Sequence, residues 1–384
     1  MTKASKEGQR KAPILRFKGF TDDWEQRKLG EIFKFSQGLQ VPIDQQFERK
    51  EENTERFIRI VDVTQDNIPQ RFVYNPTGKG RVNLDDIFFV RYGAVGTIGH
   101  GFKGVIANNL FKVIPLIDIN PLFWFYQFSD IRFNSRLKAL SASTSMPAIN
   151  FNTLRKMIIS NTSIVEQNKI GTILKSLDNL LTLYEKKKQL LTQLKQGIVN
   201  FLITKNGPKP QLRFSGFNNN WESKSFEKLL NYEQPTKYIV KKADYISQGT
   251  PVLTANKSFV LGYTNETNVY QNIPAIIFDD FTLESKYVDF PFMVKSSAIK
   301  ILTSENSNLF FIYQLLNNQR FVQEGHSRHY ISVVQKKKVL VPSIQEQNKI
   351  SDLIKQLEDN IELNSNTIVL LKKLKEFLLQ SMFL

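Results

Sequence analysis

The chain has 384 residues, of which 41% are hydrophobic and 12% aromatic, so it is long enough to form two or three domains with cores of their own. Fifty-two Lys and Arg against 36 Asp and Glu give a formal charge of +16, which favours a polyanionic partner and above all nucleic acid. The absence of cysteine excludes disulfides, thiolate nucleophiles and Cys-ligated metal sites. A polar, basic N-terminus and the lack of a long apolar run predict a cytoplasmic protein.

Two motifs each occur twice. The aromatic motif, PILRFKGF followed by a WE pair, spans 13–25 and returns 197 residues later as PQLRFSGF and WE at 210–222. The EQNK motif, IVEQNKI at 164–170, returns 180 residues later as IQEQNKI at 344–350. Because the motifs alternate with two dissimilar segments, the chain is predicted to contain two copies of one structural plan.

The repeats divide the chain into five parts: a flexible N-terminus (1–12), a first globular domain (13–162), a central long helix (163–205), a second globular domain (206–341) and a C-terminal long helix (342–384). Runs of β-branched and aromatic residues predict strands at 56–63, 86–92 and 293–302, and longer apolar stretches predict helices at 121–140 and 308–317. The predicted fold class is α+β, with two mixed α/β domains separated by an antiparallel coiled coil and related by an internal pseudo-twofold repeat.

The coiled coil is predicted from apolar residues that recur in alternating steps of four and three. The first helix carries such a seam at Ile173, Leu177, Leu180, Tyr184, Leu191, Leu194, Ile198 and Phe201, interrupted by Lys187. The second carries Ile350, Leu353, Leu357, Leu371, Leu374 and Leu378 around polar Asn360, Asn364 and Thr367, and an overlapping seam of Ile354, Leu357, Ile361, Ile368, Leu371 and Leu378. Antiparallel pairing places Tyr184 and Lys187 near Asn364 and Thr367, and we predict that these four residues set the helix register.

No catalytic constellation is recognisable. The chain lacks a GxxxxGK[ST] phosphate loop and has three histidines, so neither an ATP-driven motor nor a histidine-rich metal site is expected. Polar loops and basic clusters are instead predicted to contact bases and phosphates, although each of them is also compatible with a solvated surface. The candidate DNA-binding residues are Lys79, Arg81, Arg91, Lys103, Ser143, Thr144, Ser145, Lys237, Lys241, Lys242, Lys257, His326, Ser327, Arg328 and His329.

The repeated LRF-GF and WE residues, in alternation with the repeated EQ-KI residues, resemble the specificity (S) subunits of Type I restriction-modification enzymes over nearly the whole chain. The resemblance implies that each globular domain is a target recognition domain for one half of a bipartite double-stranded DNA site, and that the helices act as a spacer. It also implies two modification subunits that methylate adenine from S-adenosylmethionine, and restriction subunits that use ATP and Mg. No cofactor is expected on this chain.

Two alternatives from other classes remain at the level of sequence. One is a coiled-coil scaffold whose two domains bind proteins, with an incidental positive charge. The other is an enzyme that acts alone, which no motif supports.

A helix of roughly 38 residues is about 57 Å long, enough for domains on successive turns of a duplex that repeats every 34 to 36 Å or so.

Overall fold

The computed structural model describes residues 12–141, 148–203, 209–242, 244–256, 258–321 and 329–384. The chain forms two compact units, one of residues up to Tyr184 together with Asn366–Leu384 and the other of Glu185–Ser365. Each unit combines short strands and helices with parts of two long helices, and the predicted α+β class is confirmed.

The elements of the first half, in chain order, are β1 (Glu25–Lys28), α1 (Leu29–Ile32), β2 (Phe33–Gln37), β3 (Thr54–Ile58), α2 (Ile60–Thr64), β4 (Arg71–Tyr74), β5 (Arg81–Val82), β6 (Ile87–Val90), β7 (Ile98–Gly99), β8 (Gly104–Ile106), β9 (Leu110–Pro115), α3 (Pro121–Ser129), α4 (Ile131–Ser141), α5 (Phe151–Lys156), β10 (Ile158–Asn161) and the long helix α6 (Ile164–Leu202).

The elements of the second half are β11 (Glu222–Ser225), α7 (Phe226–Leu229), β12 (Asn231–Glu233), β13 (Thr250–Leu253), β14 (Val260–Thr264), β15 (Ala275–Asp279), β16 (Ser285–Val288), β17 (Met293–Val294), β18 (Ile299–Thr303), α8 (Leu309–Asn318), β19 (Lys338–Val341) and the long helix α9 (Ile344–Met382). A π-helix at Tyr330–Val334 lies between α8 and β19, where the first half has α5.

Two of the three sheets in each half have the same topology. The strand pair β1–β10 corresponds to β11–β19, and the sheet β2–β9–β6–β7 corresponds to β12–β18–β15–β16. In each of the remaining sheets, β4–β3–β8–β5 and β14–β13–β17, two antiparallel strands are joined by a parallel strand. The antiparallel pairs are β3–β4 and β13–β14, and the parallel strands are β8 and β17. The predicted duplication is therefore one of scaffold, while the segments that connect the strands differ.

Three of the predicted elements have different bounds. The strand predicted at 56–63 ends at Ile58, because the carboxylate of Asp62 accepts the backbone N–H of Arg59 at 2.9 Å and starts α2. The helix predicted at 121–140 breaks at Asp130, whose Oδ1 accepts the N–H of Arg132 at 2.8 Å and caps α4. The strand predicted at 293–302 is interrupted by a turn at Ser296 and forms β17 and β18.

A buried arginine–glutamate pair joins the aromatic motif to the EQNK motif in both halves. Nε and Nη2 of Arg16 donate to the two carboxylate oxygens of Glu166, both at 2.8 Å. Arg213 binds Glu346 in the same bidentate way at 2.7 Å. Both glutamate side chains are almost fully buried. The pair therefore attaches the start of each half to the start of its long helix.

The next two residues of the EQNK motif hold a helix of the globular domain. Gln167 Oε1 accepts the backbone N–H of Asn120 at 2.9 Å, and Asn168 Oδ1 accepts its side-chain amide at 2.7 Å. Asn120 in turn caps α3 by accepting the N–H of Phe123. Asn308 makes the equivalent contacts to the second motif and caps α8. The motif thus fixes the position of α3 and of α8.

Each unit closes its main core with the end of a long helix. In the first unit Leu378 and Met382 of α9 pack with Trp24, Phe123 and Trp124. In the second unit the end of α6 occupies the corresponding place in the core, through Val199, Leu202 and Ile203. The start of α6 lies with the end of α9 in one unit, and the end of α6 with the start of α9 in the other, so the helices are antiparallel.

The stripe buried on α6 differs from the predicted seam. The stripe consists of Ile170, Leu174, Leu177, Leu181, Tyr184, Lys188, Leu191, Lys195, Ile198 and Leu202, all of which are buried or half-buried. Ile173, Leu180, Leu194 and Phe201, which were predicted on the seam, are 38% to 51% exposed, and Lys187 is exposed as well. The prediction was wrong at these positions because two heptad stripes share one helix, and the sequence does not show which of them meets α9.

On α9 the overlapping seam is the buried one, continued by Asn364, Lys375 and Met382, whereas Asn360 and Leu374 are exposed. Every buried-stripe position of α9 lies 180 residues after its counterpart on α6. Ion pairs occupy equivalent places: Asp178 binds Lys375 at 2.5 Å in the first unit, and Lys195 binds Glu358 in the second. Both helices therefore present the same stripe at the same repeat positions.

The Arg16–Glu166 pair depends on pH in a defined direction. Burial raises the pKa of Glu166, but hydrogen bonds from Arg16 and Thr162 outweigh this effect and hold its pKa below the ordinary value. The folded-state pKa is thus lower than the unfolded-state pKa of about 4.3. The pair stabilises the fold above that pH, and the contribution is lost as the pH falls through the folded-state pKa.

We expect Arg213→Ala to destabilise its unit more than Arg16→Ala does. Either change leaves a buried carboxylate, a defect that costs about 3–5 kcal/mol. Glu166 retains the indole N–H of Trp24 at 3.1 Å and the hydroxyl of Thr162, whereas the indole N–H of Trp221 has no partner in the described chain. Because a hydrogen bond to a charged group contributes about 1.5–3 kcal/mol, the two losses differ measurably.

Urea unfolding of the full chain measures both losses, with Lys18→Ala, an exposed residue of the same motif, as the control. An equal loss for the two arginine variants, or a larger one for Arg16→Ala, contradicts the stated role of Trp24 and Thr162.

Candidate nucleic-acid interface

The connections that follow β3, β6 and α4 meet in the first unit. Tyr92, after β6, forms a β-bridge with Ala148, and the N–H of Ile149 donates to the carbonyl of Arg91 at 2.9 Å. Gly93 lies beside Ile60 of α2. We call this set of connections, residues 59–70, 91–97 and 148–150, the first tip surface.

The corresponding connections meet in the second unit. The hydroxyl of Thr282 donates to Oδ1 of Asn256 at 3.1 Å, which joins the β15–β16 turn to the β13–β14 turn. The backbone N–H groups of His329 and Tyr330 donate to the carbonyl and the carboxylate of Asp280, at 3.1 and 2.7 Å. Residues 254–256, 258–259, 280–284 and 329 form the second tip surface, which includes exposed Asn256 and Thr282.

His329 was predicted to contact DNA directly, but it is 2% exposed. Its ring Nδ1 lies 3.3 Å from the carbonyl oxygen of Asp280, and the Asp280 carboxylate pairs with Lys300 at 3.3 Å. Both charged side chains of that pair are almost completely buried. His329 therefore anchors the second tip surface from below. The predicted residues His326, Ser327 and Arg328 lie outside the described residues.

Arg91 has a similar structural role in the first unit. Its Nε donates to the carbonyl of Ile149 at 3.3 Å, Nη1 donates to Gln37 at 3.1 Å, and the guanidinium lies 5.1 Å from the ring centre of Phe151. These contacts hold the chain that enters α5, so Arg91 supports the first tip surface. Ser143, Thr144 and Ser145, which were predicted in the adjacent loop, lie outside the described residues.

The basic cluster predicted around Arg81 is already partly neutralised. Arg81 Nε and Nη2 donate to the carboxylate of Glu55 at 2.8 and 2.6 Å, and this hydrogen bonding raises the pKa of Arg81. Lys79 and Lys103 are exposed. Of these three residues, Lys79 and Lys103 remain candidates for phosphate contacts because their side chains are exposed.

Lys237, Lys241 and Lys242 are exposed, but they do not join the second tip surface. The backbone N–H groups of Lys241 and Lys242 donate to the carboxylate of Glu266, just beyond the C-terminal end of β14, beside an open cavity of about 470 Å³. Asn256 lies before the N-terminal end of this five-residue strand. The two ends are about 13 Å apart at roughly 3.3 Å per residue. Lys257, also predicted, falls outside the described residues.

Sequence reasoning missed Asn256 and Thr282. Asn256 follows a buried strand in a short polar run, and Thr282 follows the fully buried β15, so strand ends were the available signal. The described residues contain no cluster of three or more His, Asp or Glu side chains suited to a metal ion. Among them there is also no helix with the length and apolar character needed to cross a bilayer.

The comparison with family models identifies the class of protein. The model of the Type I restriction modification DNA specificity domain matches residues 21–193 and 218–373, well over half of the chain. The chain therefore belongs to the family of Type I restriction-modification specificity subunits, with two DNA specificity domains, as the sequence motifs predicted. The two tip surfaces lie in different matched regions.

Individual relatives agree with this assignment. The chain is 50% identical over 123 residues to the EcoR124I/EcoR124II specificity subunit of Escherichia coli, a match covering 30% of each chain. It is 26% identical over 225 residues to the MjaVIII specificity subunit of Methanocaldococcus jannaschii, covering 58% of this chain and 48% of that one. The matches thus span about a third and about half of the relatives' lengths.

Solved structures share the fold. An S subunit of a Type I restriction-modification system from M. genitalium superposes with a TM-score of 0.68 at 15% identity, covering 97% of this chain and 99% of that one. A chain from a study of complex assembly and conformational transition of the type I R-M system gives a TM-score of 0.51 at 12% identity, covering 94% and 97%.

We expect Lys103→Gln to weaken the salt dependence of DNA binding and the paired change Glu55→Gln/Arg81→Gln to leave it nearly unchanged. A lysine that contacts a phosphate contributes about 0.9 to the slope of log K against log salt concentration. The guanidinium of Arg81 already donates hydrogen bonds to Glu55, and the double change preserves the net charge. Fluorescence anisotropy with duplex DNA between low and moderate salt gives both slopes. A drop in slope for the double variant alone would reverse the assignment.

Proposed function

We propose that this chain is the non-catalytic DNA-reading subunit of a Type I restriction-modification complex. Each specificity domain reads one half of a bipartite target in double-stranded DNA. The two long helices set the spacing between the halves and dock two modification subunits, which methylate adenine from S-adenosylmethionine. Restriction subunits that use ATP and Mg join the same complex, and this chain supplies the choice of sequence.

The observation that carries the proposal is one scaffold with two dissimilar tips. Both halves share the topology of two sheets, the buried arginine–glutamate pair and the helix cap at Asn120 or Asn308. Their tip surfaces, by contrast, are built from unrelated residues. A duplicated scaffold places two readers in equivalent settings on one chain, while different tips give each reader its own base sequence. Exposed amides and hydroxyls such as Asn256 and Thr282 have the donors and acceptors that base edges require.

The long helices have the dimensions of a spacer. Each has 39 residues and is therefore about 58 Å long at about 1.5 Å per residue. Asn364 is buried on the stripe of α9 and its Oδ1 lacks a partner among the described residues. A buried polar position of this kind favours one register over its neighbours at some cost in stability. We propose that Asn364 and its repeat counterpart Tyr184, with half-buried Thr367, set the helix alignment.

A second apolar stripe on the helices supports the docking of partners. Within the first unit, Leu180 and Leu183 of α6 and Leu370, Leu374 and Phe377 of α9 are exposed. Leu190, Leu194 and Phe201 continue the α6 stripe in the second unit. The stripe lies about 100° around each helix from the buried one. Exposed heptad positions of this kind suit amphipathic helices, which we assign to the modification subunits.

The proposal predicts that Asn256→Ala and Thr282→Ala relax base preference in one half of the target and leave the other half unchanged. Each lost base contact reduces discrimination by about 1–3 kcal/mol. Selection of the full chain, with its modification subunit, on duplexes randomised in one half at a time measures this preference.

The matched control for that selection is Asn268→Ala, an exposed asparagine beyond the far end of β14. Relaxed preference in both halves, or an effect of the control equal to that of Asn256→Ala, would contradict the assignment of the second tip surface.

A further inference from the structure

Five lysines lie at one corner of the second unit, where β11, α7 and β19 meet, with Lys224 and Lys338 on opposite faces of the strand pair. The antiparallel pair β11–β19 places Ser225 opposite Lys338, and Lys224 one residue further along. The carbonyl of Lys337 accepts the N–H of Phe226, which starts α7. We call Lys224, Lys228, Lys336, Lys337 and Lys338 the basic corner.

The charge of the basic corner is largely uncompensated. Lys224 pairs with Glu222 at 3.0 Å, and Glu227 is the other acidic residue of this corner. Lys228 and Lys336–Lys338 are exposed, and no acidic partner for them is found within the described part of the chain. The backbone beneath them is fixed by strand pairing and by the N–H of Glu227, which donates to the carbonyl of Gln335. A rigid frame thus holds several positive charges in solvent.

The first unit has a weaker corner at the same place in the scaffold. Lys28 of β1 lies opposite Ile158, and the N–H of Leu29 donates to the carbonyl of Met157. Exposed Arg155 and Lys156 precede that strand. Here Glu31 of α1 stands where the second unit has Lys228, so the positive charge is smaller. The same location is basic in both units although its residues differ.

Each corner lies one short helix away from its tip surface. The π-helix separates His329 from Lys336, and the six-residue α5 separates Asn150 from the first-unit corner. A helix of six residues is about 9 Å long at about 1.5 Å per residue. Phosphates of a duplex follow one another every 3.4 Å or so along each strand, so a duplex read at a tip has phosphates within that distance.

We propose that the basic corner of the second unit contacts DNA phosphates beside the half-site and supplies affinity that does not depend on base sequence. This inference rests on the proposed function. Lysine ammonium groups are mobile point charges that bind phosphate without the planar, bidentate geometry with which arginine reads guanine. The corner therefore strengthens binding to every duplex, whereas the tip surfaces discriminate between sequences. Because its charge is smaller, the first-unit corner contributes less.

The test compares K336Q/K337Q/K338Q with K175Q/K186Q/K373Q in the full chain. The control removes three exposed lysines from the long helices and so changes the net charge equally. Binding to a target duplex and to a random duplex is measured as a function of salt. We expect the corner variant to lower the slope of log K against log salt by up to about 2.7, or about 0.9 per lysine, equally for both duplexes. The control should lower it much less.

Three outcomes overturn the inference: equal slopes for the corner variant and the control, a changed ratio of target to random binding, or loss of modification-subunit binding with the DNA slope unchanged. Matching unfolding curves for the two variants show that folding is not the cause. Failure of the proposed function gives a different result, because the wild-type chain would then bind the target duplex no more tightly than the random duplex.

Discussion

The buried bidentate contact between an arginine of the aromatic motif and a glutamate of the EQNK motif is the constraint on which both halves depend. Arg16–Glu166 and Arg213–Glu346 attach the first residues of each half to the first turn of its long helix. Gln167 and Asn168, or Gln347 and Asn348, extend the attachment to the helix that follows the sheets. A buried charge pair of this geometry tolerates little displacement, so it fixes the angle at which each long helix leaves its domain.

That fixed frame separates the parts of the protein that must stay constant from those that vary. The strand order of two sheets, the helix cap at Asn120 or Asn308 and the packing of the long-helix ends are the same in both halves. In the tip surfaces, Ile149 and Ala255 pack in the cores, and Arg91 or Asp280 with His329 anchors the backbone, whereas exposed residues such as Asn256 and Thr282 take no part in core packing. Under the proposed function, changes at exposed tip residues alter recognition at small cost in stability, whereas changes in the frame affect the fold.

The repeats in the sequence were sufficient to predict the family, the duplication and the long helices, because backbone periodicity and capping are local properties. They were insufficient to place the buried stripe of α6, since Leu180 and Leu194 fit an apolar heptad better than Leu181 and Lys195 do, although the latter two lie on the buried stripe. Only packing against α9 distinguishes the two. His329 was wrongly assigned to direct DNA contact for a similar reason: a polar side chain next to a variable loop suits either an anchor or a reader, and burial decides between them. Arg91 is half-buried and binds Ile149 and Gln37, so its direct contact with DNA stays a prediction. Asn256 and Thr282 are brought together by tertiary structure alone.

The central claim is that two dissimilar tips on one repeated frame read two halves of a single DNA target. Its most direct test is methylome sequencing of a host that carries the modification subunit, with and without the gene for this chain. The account predicts one new methyladenine motif, present only with the gene and made of two unlike half-sequences separated by a fixed gap. A continuous motif, two identical half-sequences, or an unchanged methylome would contradict it.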